Sequence, residues 1–272
     1  MNQYGKELFK RAARYYSKYR PMYPPSLIRY LIRKFSLNGE QQLLDLCCGT
    51  GQLTLRFSDW CRKIVGIDLG REMLEEAKRL QNEMRVNNIH WYEGNLEKYK
   101  SEFNEKFNLV IIAKAFHWMD RVRVLDELYE LVTDNGGVAI IDHYESNKKP
   151  TRWQEQFNQV IEKWYGKERR AGKTIYSHPS ISHEERLANS KFKLEIEDLP
   201  PFEITWTIDA ILGNHYSTSF GLKRFLKDQV EGFENEVKET LLAINKEGVF
   251  KESLNISIKL GIKNEGLSRP LQ

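Results

Sequence analysis

From residue 41 onward, short apolar runs alternate with segments of helical periodicity. Five of the runs have the length and composition of buried strands: LLDLCC, KIVGID, IHWYEG, FNLVIIA and VAIIDHY. Between the second and third runs lies REMLEEAKRLQNEM, whose residues are good helix formers. Strands joined by crossover helices form a mostly parallel, doubly wound sheet. The sequence therefore predicts an α/β fold.

A second helix is expected between the fourth and fifth strands. The segment DRVRVLDELYELV places its apolar side chains on one stripe, formed by Val122, Leu125, Leu128, Leu131 and Val132. The following DNGG is typical of a glycine cap and a turn, so we expect the helix to end there.

Beyond residue 145 the periodicity changes. TRWQEQFNQVIEKWY predicts a helix, KLEIEDL and PFEITWTI predict strands, residues 208–247 are mostly helical, and LNISIKLGI alternates as one final strand. We interpret the added helices as a cap inserted into one domain. The expected divisions are an N-terminal helical lid (1–36), an α/β core (37–145), a helical cap with additional strands of the sheet (146–252), and a final antiparallel strand with a tail (253–272).

Composition limits the classes of partner. The formal net charge of +4 is too small to indicate nucleic acid, and no apolar run approaches the roughly 20 residues that span a bilayer. Nothing in the chain points to an obligate protein partner. With no secretory leader at its start, the chain is expected to be cytoplasmic, with a small molecule as its substrate.

The three cysteines do not predict a disulfide framework or a metal site. Cys47 and Cys48 are adjacent, Cys61 stands alone, and no CxxC spacing is present. We interpret the adjacent pair as small apolar residues where a strand meets a turn, with a redox thiol as the alternative. His178 and His183 are likewise assigned no metal role, so no metal is expected. We interpret His143, after the fifth strand, as structural, with a role at the edge of the site as the alternative.

The turn after the first strand carries the main functional signal. A strand that ends in Gly49-Thr50-Gly51 and leads into a helix exposes backbone amides at the carboxyl edge of the sheet, where ligands of open α/β sheets bind. A dinucleotide fingerprint would place a third glycine where Thr54 stands, so a pyrophosphate ligand is disfavoured. Asp45, inside the strand, suits a cationic ligand group.

Two further elements point to an adenosine ligand. Asp68 ends the second strand seventeen residues after Gly51, where its carboxylate can accept both hydroxyls of a ribose. Asn95, in the EGNL segment after the third strand, can accept from an adenine amino group; its alternative role is that of a turn former.

At these residues the sequence resembles the class I S-adenosylmethionine-dependent methyltransferases. The resemblance rests on LLDLCCGTGQLT, VGIDLGREMLEEAK, YEGNLE and FNLVIIAKAFHWMD, and YSKYRPMYPPSLI with the HW dipeptide resembles the type 11, trans-aconitate methyltransferase-like kind. It covers residues 15–145 well and implies a seven-stranded Rossmann-like sheet. Two positions depart from the family pattern, since Cys47 replaces a usual glycine and Asn95 a usual aspartate.

The resemblance implies a set of cofactor contacts. S-adenosylmethionine would leave as S-adenosylhomocysteine, and Asp45 would lie near the methionine ammonium while Asp68 holds the ribose. The full set of implied contact residues is Arg20, Asp45, Gly49, Gly51, Asp68, Leu69, Asn95, Leu96, Ala113 and Lys114. Within it Arg20 meets the cofactor carboxylate, Leu69 and Leu96 flank the adenine, and backbone at Ala113 and Lys114 accepts from the ammonium.

Candidate acceptor-site residues follow from position and resemblance. His117, at the end of the fourth strand, is the candidate proton acceptor, although a His-Trp pair also packs well under a lid. Trp118 is a candidate pocket wall. Five aromatic side chains and one serine from the N-terminal segment and the cap complete the expected substrate site, for which the alternative is ordinary packing: Tyr15, Tyr19, Tyr23, Trp206, Tyr216 and Ser219.

Three functions remain open from the sequence. The first is methyl transfer to a small molecule, at a carboxylate, hydroxyl, amine or ring carbon. The second is methylation of RNA or protein, suggested by nine basic residues against one acidic residue through position 34. The third is binding of the cofactor without catalysis. A nicotinamide-dependent dehydrogenase is disfavoured by Thr54.

Overall fold

The strands form one large sheet and two ribbons. The computed structural model describes residues 7–142, 148–168, 170–171, 174–175 and 179–264. The strands are, in chain order, β1 Gln42–Leu46, β2 Lys63–Asp68, β3 Ile89–Glu93, β4 Phe107–Ala113, β5 Val132–Asp142, β6 Arg170–Ala171, β7 Thr174–Ile175, β8 Lys193–Asp198, β9 Phe202–Thr207, β10 Val249–Leu254 and β11 Ser257–Ile262. His143 and His178, discussed above, lie outside the described residues.

Nine α-helices accompany these strands within the described ranges. They are α1 Ala13–Tyr19, α2 Pro25–Lys34, α3 Arg71–Met84, α4 Leu96–Glu102, α5 Arg121–Leu131, α6 Arg152–Tyr165, α7 His183–Ala188, α8 Ile208–Tyr216 and α9 Val230–Ile244. Short 3₁₀ segments lie at Thr54–Trp60, Phe116–Trp118, Lys223–Phe225 and Lys227–Gln229. In the part of the chain that the structure describes, no helix is long and apolar enough to cross a membrane.

The predicted seven-stranded, mostly parallel sheet is confirmed. Its order is β3-β2-β1-β4-β5-β11-β8, with β11 antiparallel to both of its neighbours. The chain reverses its direction of travel across the sheet between β1 and β4, which is where open α/β sheets bind ligands. Both faces of the central strands are buried, as the continuous apolar runs require.

The helices pack on the sheet through the apolar stripes read from the sequence. Met73, Leu74 and Ala77 are buried on α3, and Leu125 and Leu128 are buried on α5. Two details of the α5 prediction were wrong. Val122 is exposed, because it lies in the first turn of the helix beyond the edge of its packing surface.

DNGG does not form the expected cap. The chain passes directly from Leu131 on α5 into β5, and DNGG lies within that strand. The register of β5 against β4 shifts between Phe107 and Leu109, and Asn135 adopts a left-handed φ of 61° there. The left-handed conformation that we expected at the end of a helix therefore occurs within a β-bulge.

The cap has its own apolar core and its own ribbon. β9 pairs antiparallel with β10 outside the main sheet, and α6, α8 and α9 pack against this ribbon. The cap core is formed by buried aromatic and aliphatic side chains that include Trp153, Trp206, Phe233, Val237 and Phe250. The strand expected over LNISIKLGI is split, because β10 ends at Leu254 in the cap and β11 begins at Ser257 in the main sheet.

Candidate functional site

The turn after β1 is organised by the acid at the end of β2. Gly49 N–H donates to Asp68 Oδ2 at 2.9 Å, and Gly70 N–H donates to Oδ1 at 2.7 Å. Cys47 and Gly49 have left-handed φ values of 60° and 56°, and Gly51 has one of 74°. Burial raises the pKa of Asp68 while the backbone donors oppose that shift. Asp68 thus joins the two strand ends, and its carboxylate has further lone pairs that could accept hydrogen bonds. Its contact with a ribose stays a prediction.

Gly51 makes room for a side chain of the protein itself. A Cβ at Gly51 would lie 2.5 Å from the indole of Trp91, and one at Gly66 would meet the same ring at 2.5 Å. Trp91 projects from β3, and its Nε1–H donates to Gln81 Oε1. The close approach to Gly51 is therefore made by an indole, and Trp91 is a structural residue of the turn that the sequence analysis missed.

Gly49 lies beneath the N-terminal helix. A Cβ at Gly49 would be 3.8 Å from the ring of Tyr16, which projects from α1. The Arg20 guanidinium lies over the same ring, 4.9 Å from its centroid, and its Nη2–H donates to Ser217 O at 3.3 Å. α1 and the residue that ends it therefore cover the glycine turn, and Arg20 reaches from the turn to the cap.

Asp45 is enclosed between the turn and the sheet. It is 2% exposed, and Thr54 Oγ1–H donates to its Oδ2 at 2.6 Å. Burial raises the pKa of Asp45 to about 7, with the Thr54 hydrogen bond opposing the shift. Thr54, at the position of the absent third glycine, thus orients the carboxylate. The expected contact between Asp45 and a ligand ammonium stays a prediction.

The predicted adenine contacts are in structural roles here. Asn95 Oδ1 accepts from Lys98 N at 2.9 Å and caps α4, which is the alternative role considered above. Leu96 is buried in the core beneath that helix, and Leu69 is half-buried beside Asp68. Their contact with adenine stays a prediction.

A large cavity opens between the carboxyl edge of the sheet and the cap. Its volume is about 1180 Å³, and it is enclosed by α1, the ends of β4 and β5, and the cap. The predicted site residues that line it are Arg20, Lys114, His117, Trp118, Trp206 and Ser219. Tyr16, Asp142, Trp153, His183 and His215 also line it and were missed by the sequence analysis.

Three of the four tyrosines predicted as substrate contacts pack the lid against the cap. Tyr15 meets Tyr216 edge-on at 5.3 Å, and the Tyr19 ring lies so close to Gly213 on α8 that no Cβ would fit there. The Tyr216 hydroxyl donates to Glu234 at 2.9 Å. Tyr15, Tyr19 and Tyr216 lie outside the cavity lining because residues four apart share a helix face, and that face of α1 meets α8.

Tyr16 and the capping residue Arg20 lie on a neighbouring face of the same helical segment, about 100° round from Tyr15 and Tyr19. They are also four residues apart, so the placement of Arg20 at the ligand predicts that Tyr16 lies there too. This periodicity is the signal in the sequence that could have found Tyr16. Similarly, Asp142 ends β5 as Asp68 ends β2, and the strand-end argument applied to Asp68 could have found it.

Lys114 lies where β4 ends. Its backbone φ is 54°, and its N–H donates to Ile141 O at 2.9 Å. Its ammonium lies 5.7 Å from the centre of the Tyr23 ring. Burial and the nearby Arg20 charge lower the pKa of Lys114 to about 7, while Asp142 and Glu252 oppose that shift. Tyr23 therefore lies behind the cavity lining, against Lys114.

His117, Asp142 and His183 converge on one wall of the cavity. Side-chain nitrogen and oxygen atoms of the three lie within 4.8 Å of one another. The Arg121 guanidinium lies 3.3 Å from His183 Nδ1, and because arginine only donates, this nitrogen accepts. In the neutral ring Nε2 then carries the hydrogen and offers no lone pair to a cation. Burial lowers the pKa of His183, which favours that neutral form, so the cluster suits hydrogen bonding to a ligand better than metal binding.

The cap side of the cavity is aromatic. The Trp206 Nε1–H donates to Glu252 Oε2 at 2.9 Å, so this indole both packs in the cap core and faces the cavity. His215 is ringed by Phe157 at 5.6 Å and Tyr165 at 4.8 Å, and burial lowers its pKa to about 3. His215 is therefore uncharged at neutral pH, and it and its aromatic neighbours suit the apolar part of a ligand.

Comparisons with known proteins agree on a family. Residues 43–136 match the model of a family described as a methyltransferase domain. An uncharacterized methyltransferase of Schizosaccharomyces pombe is 29% identical over 189 residues, which are 68% of this chain and 72% of that protein. A demethylmenaquinone methyltransferase of Oceanobacillus iheyensis is 28% identical over 115 residues, 41% of this chain and 48% of that protein.

The fold is also shared with solved structures. The crystal structure of YcgJ from Bacillus subtilis superposes with a TM-score of 0.55 at 19% identity, covering 88% of this chain and 98% of YcgJ. This similarity confirms the Rossmann-like sheet predicted from the sequence.

Proposed function

We propose that this chain, whose residues 43–136 match the model of a methyltransferase domain, is a class I S-adenosylmethionine-dependent enzyme that methylates a small molecule bound in the cavity between sheet and cap. The observation that carries this proposal is a cavity of about 1180 Å³ whose lining includes Tyr16, the ring that lies over Gly49 of the glycine turn. Its walls combine the ends of β4 and β5 with an aromatic cap surface. A cavity of this kind suits a small methyl-acceptor molecule that the protein contacts on several sides.

The residues around the turn fit the methyl donor. Arg20 Nε is buried without a hydrogen-bond partner among the described residues, so a ligand carboxylate there would satisfy it. Asp68 would hold the ribose, Asp45 would lie near the ammonium, and backbone at Gly49 and Ala113 would border the methionine portion. Leu69, Leu96 and Asn95 would border the adenine, and Gly51 would support the turn. When bound, S-adenosylmethionine supplies a methyl group already activated on a sulfonium.

The protein then has to align the acceptor and exclude water. Tyr16 and Arg20 close the turn from above, and Trp206 with Ser219 bounds the cap side. The Trp118 ring lies 4.4 Å from the His117 ring, centre to centre, at an angle of 51°. We place His117 beside the acceptor as a hydrogen-bonding or proton-accepting group. These side chains fix the direction from which the acceptor meets the methyl group.

Size and charge support a small-molecule acceptor over RNA or protein. The O. iheyensis relative is named for a small-molecule acceptor, although the match spans about half of that protein. Several basic side chains of the N-terminal segment are held by intramolecular acids, with Arg14 at 3.1 Å from Glu76 and Lys10 bonded to Glu7. These pairings reduce the positive charge that the segment offers to phosphates.

Binding of S-adenosylhomocysteine, followed by calorimetry, tests the cofactor site. We expect the natural chain to bind, and Asp68→Ala to weaken binding at least tenfold, because two backbone amides and the ribose lose their acceptor. Glu83→Ala, on the exposed side of α3, is the control and should bind normally. No binding by the natural chain at millimolar ligand would refute the proposal.

The acceptor is then sought by transfer of labelled methyl groups into the low-molecular-weight fraction of a cell extract. Label in that fraction, lost in Asp68→Ala, is the expected result. Label that enters only RNA or protein would contradict a small-molecule acceptor.

A further inference from the structure

Lys114 has a left-handed backbone conformation, and it lies in the cavity lining. A φ of 54° is uncommon for a residue with a Cβ, and the conformation is held by the hydrogen bond to Ile141. It places Lys114 in the cavity lining at the end of β4, three residues before His117. Strain of this kind at a strand end often accompanies a functional site, so the side chain merits a chemical explanation.

The ammonium has no counter-charge in contact. Among the described residues, no carboxylate lies within ion-pair distance of Lys114 Nζ, and no group accepts a hydrogen bond from it. Nζ lies over the face of the Tyr23 ring, 5.7 Å from the ring centre. The charged groups that act on it are Arg20 from the end of α1, Asp142 from β5 and Glu252 from β10. Burial and Arg20 outweigh the two acids and favour the neutral amine.

Two other lysines in the same lining are paired. Lys148 lies 3.6 Å from Glu252, and Lys259 lies 3.7 Å from Glu184. A carboxylate within 4 Å favours the charged form of a lysine. Lys114 differs from both, since its surroundings allow an amine with a free lone pair at neutral pH.

We propose that the neutral amine of Lys114 is the general base that accepts the acceptor's proton, an inference that rests on the proposed methyltransferase function. The acceptor atom uses its electron pair to bond to the methyl carbon as the carbon–sulfur bond breaks, with that bond's pair staying on sulfur. The proton of the acceptor passes to Nζ, and the resulting ammonium returns it to water through the cavity mouth.

This assignment narrows the class of acceptor. A carboxylate is methylated without losing a proton, whereas a hydroxyl, an amine or an enolic ring carbon must lose one. A base placed at the methyl-transfer edge is useful only for the second group. The cavity is therefore assigned a protic acceptor, whose apolar part meets the aromatic cap wall.

Two substitutions separate a base from a fixed positive charge. Lys114→Met removes both properties, whereas Lys114→Arg keeps the charge but cannot lose its proton. With labelled S-adenosylmethionine and the low-molecular-weight extract fraction as the probe, we expect both variants to lose about 10²-fold or more in rate. Lys100→Met, on the surface of α4, is the control and should keep the natural rate. An active Lys114→Arg variant would overturn the proposal in favour of a cation that binds an anionic acceptor.

The pH profile gives a second criterion. Because the base must be neutral, the rate of the natural chain should rise as pH passes through about 7, the pKa of Lys114. His117→Gln should lower the rate while leaving this midpoint in place. Loss of the midpoint in His117→Gln would assign the base to His117 instead.

A third criterion does not depend on turnover. In protein with ¹³C-labelled lysine side chains, the resonance that disappears in Lys114→Met should titrate near neutral pH with S-adenosylhomocysteine bound. A midpoint above about 9, close to the ordinary lysine range, would refute the proposal. Normal S-adenosylhomocysteine binding by both variants separates this outcome from failure of the proposed function, in which the natural chain itself would not bind.

Discussion

At the scale of single residues, the turn after β1 depends on contacts that its sequence does not display. The Gly49-x-Gly51 pattern predicts a tight turn, and the structure has one. It does not reveal that Trp91, forty residues later, lies against Gly51 while Tyr16, thirty-three residues earlier, lies above Gly49. Gly51 thus leaves room for the Trp91 indole, whereas Gly49 lies under the Tyr16 ring.

Gly51→Ala is expected to destabilise the protein because the new methyl group would overlap the Trp91 indole at a left-handed φ of 74°. The expected loss is about 2–4 kcal/mol, from overpacking and backbone strain together. Gly39→Ala is the matched control, since Gly39 also has a positive φ, 102°, but nothing within 4 Å of a Cβ. Urea denaturation gives the free energy of unfolding of both variants.

Equal losses in the two variants would show that the indole contact contributes nothing. As a further check, Trp91→Leu should reduce the penalty of Gly51→Ala when the two are combined, because the overlapping atoms are then removed.

At the scale of elements, local patterns predicted most strands and helices correctly, and contacts between distant segments account for the differences. DNGG reads as a helix cap, yet the pairing of β5 with β4 and β11 extends the strand through it. LNISIKLGI alternates without interruption, yet its first residue, Leu254, pairs with β9 and residues 257–262 pair with β5 and β8. Periodicity identifies a strand but not the sheet that it joins.

The same limit applies to the candidate site. The sequence predicts which strand ends contribute, because parallel strands present their carboxyl ends at one edge. It does not predict which face of α1 turns inward, and so Tyr15 and Tyr19 were chosen where Tyr16 lines the cavity. Nor does it bring His183 or His215 to that edge, since both arrive from the cap.

The attachment of α1 to α3 gives an element-scale prediction. Ser17 Oγ–H donates to Glu76 at 2.6 Å, and Arg14 lies 3.1 Å from the same carboxylate, which is 4% exposed. Glu76→Ala should therefore loosen α1, weaken S-adenosylhomocysteine binding several-fold and speed amide hydrogen exchange over residues 13–19. The basis is the loss of about 1–3 kcal/mol from a charged hydrogen-bond acceptor shared by two helices.

Glu83→Ala, which removes another Arg79 partner on α3 without touching α1, is the matched control. If both variants exchange alike over residues 13–19, Glu76 does not hold the helix.

At the scale of the whole molecule, cap and core are interleaved along the chain. The chain leaves the main sheet after β5, returns for β8, leaves again for β9, α8, α9 and β10, and returns as β11. β8 has its only main-sheet partner, among the described strands, in β11. The cap therefore cannot be removed without disturbing the edge of the sheet.

Phe233→Ala tests this coupling, because Phe233 is fully buried in the cap core and far along the chain from the glycine turn. We expect a loss of about 3–5 kcal/mol in a single unfolding transition that far-ultraviolet circular dichroism and tryptophan fluorescence report together. Val122→Ala, at an exposed position on α5, should change stability little. Two separate transitions in Phe233→Ala would show that the cap unfolds alone.

The position of α1 has a consequence for biosynthesis. Its contacts lie with α3 and with α8, so α1 meets the later of these two partners only after residue 216 has been made. The main sheet is completed later still, because β11, the last described strand to be made, lies between β5 and β8. A nascent chain that ends before residue 257 contains the whole glycine turn but lacks β11. The cover over the turn is then incomplete, and one edge of β5 is unpaired. During translation the glycine turn is thus made well before the cap and β11, which complete the cavity wall and the main sheet.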